Sequence, residues 1–218
     1  MKATQTSEQI EDRSSRQATV LSVKIEEKSF AQGKILGRVN FDATRGECIA
    51  LTGPSGSGKS TVLRLIAGLD EDYTGDIFRP DKCRVVFQEP NLLPWISVLK
   101  NLTVACDITP QEAEAALAQV GLEDHSMHFP TQLSLGQQRR LSLARAFACQ
   151  PDLLLMDEAF VSLDEALADE MMSLFETLRK RSDVTTLLVT HDRKEAERLA
   201  DRILRLEGTP STLVRDDL

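Results

Sequence analysis

A glycine-rich octapeptide at residues 53–60 carries the strongest chemical signal in this sequence. It reads GPSGSGKS and fits the phosphate-loop pattern G-x-x-x-x-G-K-[ST]. Glycines allow successive backbone N–H groups to point inward around a phosphate, and Lys59 would reach the β- and γ-phosphates. The Ser60 hydroxyl would bind Mg²⁺. The nucleotide-binding residues predicted here are Gly53, Pro54, Ser55, Gly56, Ser57, Gly58, Lys59, Ser60 and Thr61.

Two carboxylates close a strongly apolar stretch further along the chain. Leu153–Met156 predicts a buried strand, and Asp157 and Glu158 follow it directly. A strand end beside a phosphate loop can place one carboxylate on Mg²⁺ through water and the other on an attacking water. We assign the metal role to Asp157 and the base role to Glu158. Many buried strands end in Asp, so the pairing with the phosphate loop is what makes this pattern specific.

A second stretch suited to an anion occupies residues 132–147, which read QLSLGQQRRLSLARAF. Apolar residues recur at helical spacing in its second half, and Ser134 to Gln137 would begin the helix. Free N–H groups and the positive end of the dipole make such a helix start favourable for an anion. A serine N-cap followed by Gly136 would by itself be an ordinary helix start. The bulky Leu135 inside it is the unexpected residue.

The elements that position these residues alternate between strands and helices. Val20–Glu26 alternates apolar and polar residues, which predicts a half-exposed strand, and Thr61–Ala67 predicts a helix after the phosphate loop. Short apolar runs predict the buried strands of a parallel sheet, and the class is therefore α/β. Besides Leu153–Met156, these runs are Cys48–Leu51, Arg84–Phe87 and Thr186–Val189, and Ile203–Leu206 is expected as the last strand.

Residues 89–150 break this alternation and contain no convincing strand. Thr109–Glu112 forms a capping box with Pro at the first helical position, and an apolar stripe at helical spacing follows. Gly121 suits the end of that helix. We therefore predict a helical subdomain at 89–150, inserted into an α/β core that consists of residues 19–88 and 151–218.

Composition limits the function classes. Lys and Arg number 26 against 34 Asp and Glu, and this net charge of −8 disfavours a general nucleic-acid or anionic-lipid binder. No apolar run approaches the ~20 residues of a membrane span. Residues 1–18 lack the apolar core of a signal peptide and predict a disordered tail.

The cysteines and the H-x-x-H pair do not indicate a metal site. The cysteines are widely separated in sequence and form no C-x-x-C pair, which favours reduced thiols. His125 and His128 have no further ligand nearby, and we interpret them as solvated loop residues. The four cysteines are Cys48, Cys83, Cys106 and Cys149.

The order of these motifs resembles that of the ATP-binding cassette (ABC) ATPase family across nearly the whole chain after residue 19. The resemblance implies a RecA-like P-loop NTPase core with a mostly parallel sheet, an N-terminal antiparallel β part and an inserted α-helical subdomain. After the phosphate loop come Gln88, LSLGQQRR at 133–140, LLLMDE at 153–158, Ser162-Leu163-Asp164 and Thr190-His191-Asp192.

The resemblance also implies roles for single residues. Gln88 matches the glutamine that senses Mg²⁺ and the attacking water, and His191 matches the switch histidine that contacts the γ-phosphate. Asp164 matches the loop that crosses the dimer interface. Phe30 matches the aromatic residue that stacks on adenine, although Phe30 could equally fill the core.

In this family two ATPase domains face each other head to tail, and the LSLGQ helix of one completes the ATP site of the other. Ser134 Oγ and the Gly136 N–H would then contact the γ-phosphate in trans, with Gln137 in the same motif. Leu135 stands where the family usually has glycine, and Ala159 where it usually has proline. A helical φ at position 135 would make the leucine harmless.

The expected function is that of the ATPase subunit of an ABC transporter, similar to the nitrate, sulfonate and taurine importer ATPases. Its expected partners are a second copy of the chain, a membrane permease and an extracytoplasmic solute-binding protein, without nucleic acid, and ATP and Mg²⁺ are its cofactors. The expected location is the cytoplasmic face of the membrane. Trp95 would contact the permease or fill the helical subdomain. An exporter, a lipid-transport ATPase or a soluble ABC ATPase remain alternatives. A GTPase would need an N/T-K-x-D guanine motif, and the sequence contains none.

Overall fold

The computed structural model describes residues 18–31 and 33–216, so most of the predicted tail at 1–18 lies outside the described residues. These residues form a ten-stranded sheet in the order β3-β1-β2-β10-β9-β4-β8-β7-β6, with β5 paired to β1. The strands are β1 (Thr19–Phe30), β2 (Gly33–Leu36), β3 (Val39–Thr44), β4 (Cys48–Thr52), β5 (Thr74–Phe78), β6 (Cys83–Val86), β7 (Leu153–Asp157), β8 (Thr185–Val189), β9 (Arg202–Gly208) and β10 (Ser211–Asp216).

Six helices and two short 3₁₀ turns complete the described chain. The two 3₁₀ turns are Glu123–His125 and Pro130–Gln132. The helices are α1 (Lys59–Ala67), α2 (Val98–Cys106), α3 (Pro110–Gln119), α4 (Leu135–Ala148), α5 (Glu165–Ser182) and α6 (Arg193–Leu199).

The parallel part of the sheet sets the position of the site. Strands β9, β4, β8, β7 and β6 are parallel neighbours. Their carboxyl ends meet at one edge, where Leu51 of β4 and Asp157 of β7 are both paired with Val189 of β8. Ligands of open α/β sheets bind at this edge.

The N-terminal strands form the antiparallel part that was predicted, because β1 pairs antiparallel with β2, β3 and β5. β1 continues to Phe30, past the predicted end at Glu26. Its register shifts after Ile25, so Glu26 and Glu27 are both exposed and Lys28 lies on the buried side. A strict alternation of apolar residues does not anticipate such a bulge.

The four buried strands that were predicted, and the strand predicted at Ile203–Leu206, are present, and every end agrees to within two residues. The prediction that Ile203–Leu206 is the last strand is wrong, since β10 follows it and pairs antiparallel with β9. Leu213 is the single strong apolar residue of β10 that packs on the core, so the strand carries little alternation.

Helices α2, α3 and α4 lie between β6 and β7, as expected for the inserted region; its bounds at 89 and 150 remain a prediction. The capping box of α3 forms as predicted, and Gly121 adopts a left-handed φ of 67° just beyond the helix. One apolar core lies between the sheet and α1, and a second packs α2 to α5 against the other face. Within the described residues, no helix is both long and apolar enough to cross a membrane.

A disulfide corrects the prediction that all four cysteines are reduced. Cys106 ends α2 and Cys149 caps α4, and the two Cα atoms are 4.7 Å apart in a bonded pair. The helix ends are neighbours in space although 43 positions separate them in sequence. Cys48 and Cys83 are free thiols, and burial raises the pKa of the Cys48 thiol to about 12.

Candidate functional site

The phosphate loop joins β4 to α1 and folds around its own lysine. Gly53 has a φ of 145°, and a Cβ at this position would lie 2.6 Å from the carbonyl oxygen of Leu206, so glycine is required there. Lys59 is 5% exposed, and its ammonium donates hydrogen bonds to the carbonyl oxygens of Gly53 (2.9 Å) and Pro54 (3.0 Å). The loop therefore places a positive charge inside its own curve.

Ser60 and Asp157 meet at the edge of the sheet. The Ser60 hydroxyl donates to Asp157 Oδ1 at 3.0 Å, across 97 positions of sequence. Burial is the main cause that raises the pKa of Asp157, and the charge of Glu158 adds to it, while the bond from Ser60 opposes it. A desolvated carboxylate of this kind is stabilised by a bound cation.

The groups present fit Mg²⁺ and phosphate. Hydroxyl and carboxylate oxygens are the ligands that Mg²⁺ prefers, and this ion usually completes its shell with water and substrate phosphates. The described residues contain no cluster of three or more His, Cys, Asp or Glu that could hold a metal ion. The buried Ser57 hydroxyl has no partner within the described chain, and a phosphate in the loop would supply one.

Glu158 and His191 form a second pair beside the loop. Glu158 Oε1 lies 3.4 Å from His191 Nδ1. The Glu158 backbone has a left-handed φ of 48°, a conformation that costs a non-glycine residue about 1–3 kcal/mol. Its N–H donates to the Val189 carbonyl at 2.9 Å, which holds this turn against β8.

The Glu158–His191 pair borders an open cleft of about 840 Å³, and Ser60 lines a smaller recess that Lys59 and Glu158 share with this cleft. Lys59, Glu158 and His191 lie in its wall, together with Arg193 and Arg205, two cations that sequence reasoning did not identify. Arg193 begins α6 and Arg205 lies within β9, and no motif marks either residue. The cleft thus combines a phosphate loop with an acid and a histidine.

Phe30 is not a core residue, because it is 48% exposed. It borders a smaller recess of about 300 Å³, which Lys59, Ser60 and Glu158 also line. Lys28 Nζ lies 4.6 Å from the centroid of the Phe30 ring. Lys28 is 2% exposed, and its ammonium donates a hydrogen bond to Asp70 Oδ1 at 2.9 Å. A cation fixed on one face of the ring leaves the other for a planar group.

The remaining predicted residues have the following positions. Gln88 is exposed just after β6, and Thr61 is half-buried in the first turn of α1. Asp164 is exposed and caps α5, where its Oδ1 accepts the Leu167 N–H at 2.9 Å. Ala159, in place of proline, is buried in the turn after Glu158.

The LSLGQ segment begins α4 as predicted. Ser134 is the N-cap, and it exchanges a capping box with Gln137: the Ser134 N–H donates to Gln137 Oε1 at 2.9 Å, and Ser134 Oγ accepts the Gln137 N–H at 3.3 Å. Leu135 occupies the first helical position and is not among the left-handed residues of the described chain. Its side chain is 51% exposed, and its helical backbone avoids the cost that a left-handed φ would impose on leucine. The walls of the cleft and recess include none of residues 134–137.

His125 departs from the prediction of a solvated loop residue. It ends the first 3₁₀ turn, is half-buried, and its Nε2 lies 2.9 Å from Gln137 Nε2. The contact spans 12 positions of sequence, and only the packing of the turn against the start of α4 reveals it.

The fold and the paired groups together define a P-loop nucleotide hydrolase of the ABC type. Residues 36–161 match the family described as ABC transporter, so the chain belongs to that family. As a member, it binds ATP together with Mg²⁺ and hydrolyses the nucleotide.

Curated relatives are similar along most of the chain. One is the aliphatic sulfonates import ATP-binding protein SsuB 3 of Rhodococcus jostii, 44% identical over 83% of this chain and 69% of that protein. Another is SsuB 2 of Mesorhizobium japonicum, 45% identical over 88% of this chain and 79% of that protein.

A solved structure agrees with the fold. The dimeric ATP-binding cassette MJ0796, in a post-hydrolysis state with ADP and Pi, matches with a TM-score of 0.78 and 30% identity, covering 91% of this chain and 98% of that one. That protein's dimer provides a precedent for two cassettes that face each other.

Proposed function

We propose that this chain is the ATP-hydrolysing subunit of an importer, in which two copies drive a separate membrane permease from the cytoplasmic face. The observation that carries the proposal is the assembly of Ser60–Asp157 and Glu158–His191 around the lysine loop, with the LSLGQ segment outside that cleft. One chain thus holds two complementary halves of an ATP site. Each ATP site would be complete only where two chains pair head to tail.

Each of these groups has a distinct task in hydrolysis. Lys59 and the loop N–H groups would hold the β- and γ-phosphates, and Ser60, Asp157 and Gln88 would hold Mg²⁺, which would neutralise phosphate charge when bound. Glu158 orients the attacking water and accepts its proton. His191 contacts the γ-phosphate and, at 3.4 Å from Glu158, keeps that carboxylate in place.

The nucleoside end of ATP lies against Phe30. The ring is exposed beside the loop and held from one side by Lys28, which suits stacking of adenine on its other face. From the opposite subunit, the Ser134 hydroxyl and the Gly136 N–H approach the γ-phosphate, with Gln137 and Asp164 beside them. ATP then joins the two copies, and hydrolysis weakens the dimer.

An exposed apolar group on the helical region suits the permease. Trp95 is 71% exposed, which rules out the alternative that it fills the core. Met127 is 77% exposed, and its segment lies beside the start of α2 because the Val98 N–H donates to the His128 carbonyl at 2.8 Å. Large exposed apolar side chains mark protein interfaces, so we assign this group to the membrane partner.

The names of the relatives indicate the transported solute class. Proteins 42–46% identical to this chain are named for import of aliphatic sulfonates, which supports an organic sulfonate as the cargo. An extracytoplasmic binding protein would deliver it to the permease. The ATPase itself supplies no contact to the solute.

Glu158→Gln tests the proposal most directly. The variant keeps nucleotide binding but lacks the base, so ATP should convert it to a stable dimer with turnover reduced at least about 100-fold. Sedimentation equilibrium with and without ATP measures the association. Lys59→Ala is the control that should lose binding of a fluorescent ATP analogue. A Glu158→Gln protein that remains monomeric with saturating ATP would contradict the shared site.

A further inference from the structure

A histidine outside every recognised motif touches the start of α4. His125 Nε2 is 2.9 Å from the side-chain nitrogen of Gln137, and His125 itself lies in the 3₁₀ turn that precedes the helix by ten residues. The turn is held in place by its own backbone, since the His125 N–H donates to the Leu122 carbonyl at 3.0 Å. The ring therefore meets the helix start from a fixed position.

The chemistry of Gln137 decides which atom of this pair donates. Its Oε1 accepts the backbone N–H of Ser134 at 2.9 Å, and this bond fixes the orientation of the amide. The amide nitrogen, which can only donate, then faces the ring. His125 Nε2 must be the acceptor, so the imidazole is neutral and carries its proton on Nδ1.

The other ring nitrogen of His125 lowers the stability of the folded protein. His125 Nδ1 is buried and has no partner among the described residues. Burying an unpaired N–H costs free energy, and an apolar side chain would avoid that cost. Among the described residues, the side chain of His125 has one hydrogen-bond partner, Gln137, which indicates that this contact is what the residue provides.

We propose that His125 is a positioning residue for the shared ATP site. It holds the amide of Gln137, and through the capping box it holds Ser134, in the orientation that the γ-phosphate of the opposite subunit requires. The proposal rests on the head-to-tail dimer of the proposed function. It assigns to His125 an effect on association and none on the nucleotide site of its own chain.

The test uses the full chain with Glu158→Gln, in which ATP-driven association is measurable. His125→Leu removes the acceptor, whereas His125→Gln places a carbonyl oxygen near the position of Nε2. His128→Leu is the matched control, because that ring lies beside His125 with centroids 5.2 Å apart and planes tilted by 55°, and His128 is itself exposed. Binding of a fluorescent ATP analogue and a urea unfolding curve accompany each association measurement.

His125→Leu should weaken ATP-driven dimerisation about five-fold, the effect of one lost hydrogen bond, with nucleotide binding retained and the unfolding midpoint equal to or above that of the parent. The dimer affinity of His125→Gln should lie within about two-fold of that of the parent, and the dimer affinity of His128→Leu should equal that of the parent. An unchanged dimer in His125→Leu, an equal loss in His128→Leu, or a parallel loss of nucleotide binding would each overturn the inference. If the Glu158→Gln parent itself stays monomeric, the proposed dimer fails first and this inference fails with it.

Discussion

Gly136 and Leu167 lie in direct contact where α4 meets α5. A Cβ on residue 136 would be 3.1 Å from Leu167 Cδ1, closer than a relaxed contact permits. Leu167 is in the first turn of α5, which Asp164 caps through the Leu167 N–H. The LSLGQ segment and the segment that ends at Asp164 are therefore packed against each other, and the glycine allows that approach.

Gly136→Ala should destabilise the protein by about 1 kcal/mol, because the overpacked contact outweighs the better helix propensity of alanine. In a Leu167→Ala background the clash is absent, and the same change should stabilise by about 0.5–1 kcal/mol. Urea unfolding of the four proteins of this double-mutant cycle measures the coupling. Additive effects of the two substitutions would show that the contact carries no strain.

Leu135→Gly should leave ATP hydrolysis equal or slightly higher, since the leucine is exposed and its backbone is already helical. The glycine should cost about 0.5–1 kcal/mol of stability through its larger backbone entropy. Steady-state phosphate release measures the activity, with Leu135→Ala as the control for side-chain removal alone. A clear loss of activity in both variants, with folding retained, would assign Leu135 a contact with the opposing subunit or the permease.

Reduction of the Cys106–Cys149 disulfide should lower the free energy of unfolding by about 2–4 kcal/mol, because the bond closes a loop of 43 positions in the unfolded chain. Urea curves with and without a reductant measure the change, and Cys149→Ser should be insensitive to the reductant. Mass analysis after alkylation in denaturant gives an independent check. Modification of all four cysteines without reduction would contradict the bond.

Glu195→Gln should make stability less dependent on pH. Burial is the main cause that raises the pKa of Glu195, although the Thr190 hydroxyl, which donates to its Oε2 at 2.6 Å, opposes it. The folded state then holds this proton to higher pH than the unfolded state, whose glutamate titrates at about 4.3. Ionisation therefore costs stability, and the cost is absent below about pH 4 and grows as the pH rises through the folded pKa.

We therefore expect the unfolding midpoint of Glu195→Gln to exceed that of the parent near pH 8, with little difference near pH 4. The exposed neighbour supplies the control, since Glu197→Gln should follow the parent at both pH values. A uniform shift of Glu195→Gln at every pH would indicate packing as the cause instead of charge burial.

The sequence predicted the strands and helix starts whose residues carry a local signal. Buried parallel strands are runs of apolar residues, and caps such as Ser134 and Thr109 are set by side chains within one turn, so both could be identified without tertiary contacts. The strand β10 and the extension of β1 to Phe30 have no such signal. In β1 a bulge after Ile25 reverses which side chains face the core. For both strands, the pairing partners decide where the strand ends.

Some features of the candidate site were predicted from the sequence, and others were found only in the tertiary structure. The phosphate loop and the carboxylates after β7 were identified because backbone geometry and chemistry limit the residue types allowed at fixed spacing. The shared Mg²⁺ assigned to Ser60 and Asp157 already implied that these two residues are close. The tertiary structure alone decided that Lys28 lies against Phe30, that His125 faces Gln137, and that two distant cysteines are bonded. These contacts join segments 12 to 43 positions apart or lie across a bulge. Folding brings such groups together through packing of whole elements, which the types of neighbouring residues do not specify.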